Sequence, residues 1–206
     1  MAIVIDALDL VRNKKRLPRE AFFVDTNILV DFIDPFSRST TDPRLAARNV
    51  ELAEVIHPLK SWGSKSLSTA SVALEYYKYI QVGFYKIETG KDRLDTEDFK
   101  RLRDGDLDFM TRWDHQLKVF KRLFSKTFPL LDVTLTLADV LSTFEGSKVD
   151  FGDHLLFKAT LASDPKLRCV FSNDADFYSF SGEIYLLTTN RRVIAKAASE
   201  SKLLKA

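Results

Sequence analysis

Short, wholly apolar runs alternate along the chain with longer stretches of helical periodicity. In "AFFVDTNILVDF", residues 22–24 read as a first strand of β-favouring residues. Pro43 opens a helix in which Leu45, Leu52, Val55, Ile56 and Leu59 recur at helical spacing up to Lys60. "SKSLSTAS" predicts a second strand near residues 66–70, and Ser71 is placed to cap the helix "VALEYYKYI". Across a charged stretch of about 83–128, Phe99, Leu102, Phe109, Trp113, Leu117, Phe120 and Phe124 keep a three-or-four spacing. That predicts one long helix, or two broken near Gly105. "LLDVTL" reads as the third strand, and "LADVLSTFEG" as a helix ending at Gly146. The helix "FGDHLLFKATLA" leads into a fourth strand, "LRCVFS"; "EIYLLT" is the fifth. The basic "RRVIAKAASESKLLKA" reads as a closing helix.

Strands alternating with helices predict an α/β fold built on a parallel sheet covered on both faces. The 206 residues suit one domain over 21–190, preceded by an extension (1–20) and followed by a basic helix or tail (191–206). A helical insertion of about 83–128 falls between the second and third predicted strands.

Composition narrows this picture only a little. A 45% hydrophobic fraction supplies a sizeable core, and the sixteen Phe are read first as its filling. A net charge of +2 neither requires nor excludes a nucleic-acid partner. The single Cys169 forms no internal disulfide, and no apolar run approaches a membrane span, so a cytoplasmic protein is expected. "MAIVIDALDLVRNKKR" puts Asp6 and Asp9 ahead of its basic cluster, the reverse of a signal peptide.

The chemistry lies in the acids. In parallel sheets, sites form beyond the carboxyl ends of the strands. Asp25 ends the first strand, and Glu75 lies in the first turn of the helix after the second. Asp153 lies in the first turn of the helix before the fourth strand, and Asp174 follows that strand in "FSNDADF". Each has a bland explanation. Asp25 can cap a turn, and Glu75 can be a favourable charge near a helix start. Asp150 and Asp153 can form a capping box, and Asp174 and Asp176 can be turn formers. Taken jointly, four unrelated reasons would be needed for acids that all point to one edge. Crowded carboxylates call for compensation, and hard oxygen ligands suit Mg²⁺ or Mn²⁺ and metal-assisted phosphodiester hydrolysis.

These blocks resemble the PIN-domain ribonucleases, particularly the toxin ribonucleases of VapBC toxin–antitoxin pairs. "FFVDTNILVDF" is similar to the family's opening strand with its Asp-x-Asn motif, and "LSTASVALEYY" to the block that ends in Glu. "VDFGDHLLFKATLA" resembles the block whose Asp precedes an apolar helix, and "CVFSNDADF" the closing Ser-x-Asp-x-Asp-Phe block. The resemblance implies a three-layer α/β/α sandwich with a five-stranded parallel sheet, and Mg²⁺- or Mn²⁺-dependent cleavage of RNA. It implies metal-binding, catalytic roles for Asp25, Glu75, Asp153 and Asp174, and supporting roles for Asn27 and Ser172, with Asp150 and Asp176 as extra acids. It also implies a homodimer and, where a cognate antitoxin exists, a partner segment near the acidic edge.

Three basic clusters, 12–16, 118–126 and Arg191-Arg192, are candidates for flanking an RNA path, though each reads first as a solvated face. His57, His115 and His154 form no zinc pattern, and His154 reads as structural. Two rival classes remain: a non-catalytic RNA-binding or interaction module on the same fold, and a receiver-like domain using Asp25 as phospho-acceptor with "AIVIDALD" supplying an acid pair.

Overall fold

A computed structural model describes residues 2–33, 36, 43–136, 138, 141, 150–180 and 184–204. At its centre is an all-parallel sheet of six strands: β1 (Ile3–Asp6), β2 (Ala21–Val24), β3 (Lys65–Leu67), β4 (Cys169–Phe171), β5 (Tyr185–Thr188) and β6 (Leu203–Leu204). Their order across the sheet is β3-β2-β4-β5-β1-β6. Helices flank the sheet, an arrangement compatible with a three-layer sandwich. All four residues of β2 and all three of β4 are buried. This explains why both read as continuous apolar runs rather than alternating ones.

The sheet has six strands where five are expected, and two of them lie in segments read otherwise. "IVID" has the same design as "FFVD", an apolar run ending in an Asp. It forms β1, paired in parallel with both β5 and β6. The C-terminal helix stops at Ser199, because Ser201 takes a left-handed φ of 56°. The Lys202 N–H then donates to the Ala197 carbonyl at 2.8 Å, and β6 follows. Conversely, "LLDVTL" does not form a strand. It makes a single parallel bridge, Leu130 to Ser68, and Pro129 beside it has no N–H to extend the ladder.

The helices include every long one that the periodicity predicts within the described residues, and three short ones, over 7–12, 26–32 and 176–179, that it does not. They are α1 (Ala7–Arg12), α2 (Thr26–Phe32), α3 (Pro43–Ser61), α4 (Ala70–Thr89), α5 (Thr96–Gly105), α6 (Leu107–Arg122), α7 (Phe151–Ala162), α8 (Asp176–Ser179) and α9 (Arg191–Ser199). Thr69, not Ser71, caps α4; its hydroxyl faces the Val72 N–H at 3.5 Å, and Ser71 already lies inside the helix. The break near Gly105 is real: Asp106 ends α5 and caps α6. Within the helical insertion, the Trp113 ring sits 5.1 Å from Phe99, 5.3 Å from Phe84 and 5.9 Å from Tyr77. The expected helix over 137–146 lies largely outside the described residues. Among the described residues no helix is long and apolar enough to cross a membrane.

Ile5 is fully buried and paired with Leu187 of β5 and Leu204 of β6. Ile5→Ala is expected to destabilise the chain by roughly 2–5 kcal/mol, read as a lower urea midpoint. Parental stability in that variant would remove β1 from the core.

Candidate functional site

Two neighbouring strand ends build the centre of the site. The Asp25 N–H donates to the carbonyl of Phe171, the last residue of β4, at 3.1 Å. Asp25 and Ser172 thereby arrive side by side. Asp25 caps α2, as its bland explanation requires: Oδ1 accepts the Thr26 N–H at 2.5 Å. Oδ2 accepts the Ser172 hydroxyl at 2.6 Å and the Asn27 side-chain amide. Only 3% of Asp25 is exposed. Burial pushes its carboxyl up to about 6. The Ser172 and Thr26 hydrogen bonds oppose this, while the charges of Glu75 and Asp174 add to it.

Glu75 reaches the same place from α4, in the second turn rather than the first, because the helix begins at Ala70. Its Oε2 accepts the Thr26 hydroxyl at 2.6 Å. Its Oε1 lies over Gly152 in the first turn of α7, where a Cβ would overlap it. That close approach is what the glycine permits. The next residue is Asp153, whose carboxyl is pushed up to about 8. Burial is the largest cause, followed by the charges of Asp25, Asp174, Asp150 and Glu75. Asp153 thus senses acids from all three other segments as well as its own neighbour Asp150, and each of these contributions raises its pKa.

Asp174 and Asp176 come from the turn after β4. The Asp174 N–H donates to Ser172 Oγ, and its Oδ1 accepts the Asp176 N–H, both at 2.9 Å. Asp153, Asp174 and Asp176 each offer an oxygen, all within 4.8 Å of one another. Asp150 caps α7 through the Gly152 N–H at 2.8 Å and contributes charge to Asp153.

All eight acids and polar residues singled out in the sequence therefore belong to one locality. They divide into a tight outer group (Asp153, Asp174, Asp176), a buried base anchored by donors (Asp25 with Asn27 and Ser172), Glu75 beside Gly152, and Asp150 at the cap of α7. Asp176, an extra acid in the sequence reading, sits closer to Asp153 and Asp174 than that reading implied. The donor set is entirely hard oxygen, suited to Mg²⁺ or Mn²⁺ rather than to a soft metal. His154, next in the chain, turns away from it, its ring 5.1 Å from that of Phe180.

Three contributors escaped the sequence reading. Thr26 links Asp25 to Glu75. Gly152 makes room for Glu75; a glycine opening an apolar helix was its signal. Asn173 ties the β4 turn to the β5 end, its Oδ1 accepting the Thr189 N–H at 2.9 Å.

A groove of about 640 Å³ runs from Asn27 and Asp174 past Arg48, Arg191 and Arg192, with Asp31 and Glu51 also in its wall. Arg48 lies 3.7 Å from Asp31, and Arg191 lies 3.4 Å from Asp6. Such exposed pairs hold the guanidinium groups in position at little energetic depth.

No protein-family model, curated protein or solved structure matches the chain.

The raised carboxyls imply a pH dependence. Folded, the cluster keeps protons that the unfolded chain has already released above the ordinary carboxylate range. Without divalent cation, stability is therefore greatest on the acid side and falls as pH rises through about 6 and then about 8. Melting temperatures in chelator should show this decline, and Asp153→Asn should flatten its upper part. Parallel profiles for the two proteins would remove Asp153 from the crowded set.

Proposed function

We propose that the chain is a PIN-like endoribonuclease that hydrolyses RNA phosphodiester bonds at this carboxylate cluster with Mg²⁺ or Mn²⁺. One observation carries the reading: acids from four separate chain segments meet at the carboxyl edge of the sheet, and two of them titrate high through burial and mutual repulsion. Perturbed carboxyls gathered beside a groove are a recurrent mark of catalytic sites. The motif resemblance points the same way.

Asp153, Asp174 and Asp176, with Glu75 and Asp25 behind them, would hold the cation. When bound, a divalent ion lowers the pKa of a water and neutralises charge on phosphate oxygens. The chain's own residues supply the rest. Asn27 and Ser172 fix the Asp25 carboxylate, and Thr26 fixes Glu75. In hydrolysis, water attacks phosphorus, a carboxylate of the cluster takes its proton, and the P–O3′ bond breaks, the 3′ oxygen taking a proton from solvent, to leave a 3′-hydroxyl and a 5′-phosphate product. A carboxyl with a pKa near neutrality is suited to that proton transfer. Arg48, Arg191 and Arg192 would position phosphates of the strand in the groove without reading its sequence.

Cleavage of a labelled single-stranded RNA in Mn²⁺, against a chelator control, tests this. Asp25→Asn should fall to the chelator background while still unfolding in one cooperative thermal transition. Asn27→Ala, which removes an orienting group, should lose roughly 10–100-fold. Gly152→Ala should fold, because the atom in its way is the end of a flexible side chain, yet match Glu75→Gln in activity. Full activity in Asp25→Asn would end the nuclease reading. Arg191→Ala/Arg192→Ala should raise KM with kcat retained, and lower the salt slope of binding by about 1.4. An unchanged slope would take the strand out of this groove.

A further inference from the structure

The opposite edge of the sheet carries a second concave site. A pocket of about 550 Å³ opens at the amino ends of the strands. Its wall comes from segments leading into three of them: Arg16–Glu20 before β2, Trp62–Lys65 entering β3, and Lys166 before β4. Four cations, Arg16, Arg19, Lys65 and Lys166, line it with a single carboxylate, Glu20. Lys166 lies 3.7 Å from Glu20 with both side chains more than half exposed, a pairing too weak to neutralise the site.

The pocket is built rather than a chance run of charge. The Arg19 guanidinium carbon stands 4.4 Å over the Tyr185 ring centroid, and Nη1 donates to the Pro18 carbonyl at 3.1 Å. That fixes a planar cation in the wall. The turn carrying Trp62 is closed by two hydrogen bonds at 3.0 Å, Gly63 N–H to the Lys60 carbonyl and Ser64 N–H to the Leu59 carbonyl. Gly63 adopts a φ of +95° there, so the half-buried indole is presented from a defined backbone. The acid cluster makes no use of these residues. Glu20 and Asp25 flank the two ends of β2, roughly 16 Å apart at about 3.3 Å per residue.

We propose that this pocket binds a phosphate group with its attached base, as presented by a free nucleotide or by one nucleotide unit of a single strand. Arg16, Lys65 and Lys166 take the phosphate, and Trp62 stacks on the base. A concave wall with three more cations than anions draws a phosphate in, and an indole at its rim gives a base a flat partner of any sequence. The site is independent of whether the acid cluster cleaves RNA.

The chain's two tryptophans make the test direct, because Trp113 is 2% exposed and Trp62 alone can report a ligand at the surface. Intrinsic fluorescence is titrated in chelator and low salt with AMP, a short oligoadenylate, adenosine and a glutamate-rich peptide. Saturable quenching by AMP or oligoadenylate, with adenosine and the peptide inactive, is the expected result. Arg16→Gln/Lys166→Gln, both at exposed positions, should weaken it roughly tenfold or more. Trp62→Ala should weaken binding of labelled oligoadenylate read by anisotropy. Oligoadenylate binding much tighter than AMP assigns the site to a strand, and equal affinity assigns it to a free nucleotide. Quenching by adenosine or the peptide as strong as by AMP, indifference to the charge substitutions, or no quenching at all would overturn the proposal.

Discussion

Repulsion among crowded carboxylates, packed around one that is buried, is the constraint on which the site is organised. The sheet forces Asp25 against Ser172 by joining the ends of β2 and β4, and α4 and α7 add Glu75 and Asp153. The response differs from residue to residue. Asp25 is nearly inaccessible, but three donors support its charge, so burial raises its pKa only to about 6. Asp153 is less buried, yet every influence on it is unfavourable to charge, and it rises to about 8. The cation-free cluster therefore tends to keep a proton toward neutral pH, with Asp153 the acid whose surroundings most oppose charge. A cation entering the cluster competes with that proton, which couples its affinity to pH.

Local devices that look merely structural create this arrangement. Asp25 is a helix cap, and so is Asp150; Asp174 forms a turn through the Asp176 N–H. The bland explanations of these residues hold as local structure, and each cap also fixes the direction of its carboxylate. Asp6 shows what the device looks like elsewhere. It ends β1 and caps α1 in the same way, but its remaining oxygen meets Arg191 instead of more acids. Capping alone does not make a site. Convergence across strands does, and only the sheet order decides which capped strand ends converge.

This also sets what was legible in the sequence. Asp25, Glu75, Asp153 and Asp174 could be gathered because strand-end logic needs only element order and parallel pairing. The apolar runs of β2, β4 and β5 gave that order. The periodic Phe and Trp of 99–124 gave the helical insertion with its break at Asp106. The outer strands were harder. β1 was four residues of "IVID" in a stretch read by its basic cluster, and β6 was two residues following an apparently continuous helix. Such short strands are defined by their partners, Leu186 and Leu187 for β1 and Val4 and Ile5 for β6, more than by their own pattern. "LLDVTL" failed for the complementary reason: its composition suits a strand, but beside Pro129 the ladder closes after one bridge.

The sheet order also weighs the rival readings. A receiver-like pocket would need the acid pair of "AIVIDALD" next to Asp25. With β4 and β5 standing between β1 and β2, their strand ends are separated by three spacings, roughly 14 Å, and Asp6 is engaged by Arg191. A non-catalytic module on this scaffold meets a different difficulty. For an interaction surface, an acid such as Asp153, held where burial and four neighbouring carboxylates all oppose its charge, carries a cost in stability. Uncompensated acids destabilise the folded chain at neutral pH. Replacing Asp153 by Asn would relieve the strain in a single step while keeping the side chain's shape. That Asp stands there, and that Gly152 is left without a side chain so that Glu75 can crowd it further, favours a cluster kept for chemistry over one kept for packing.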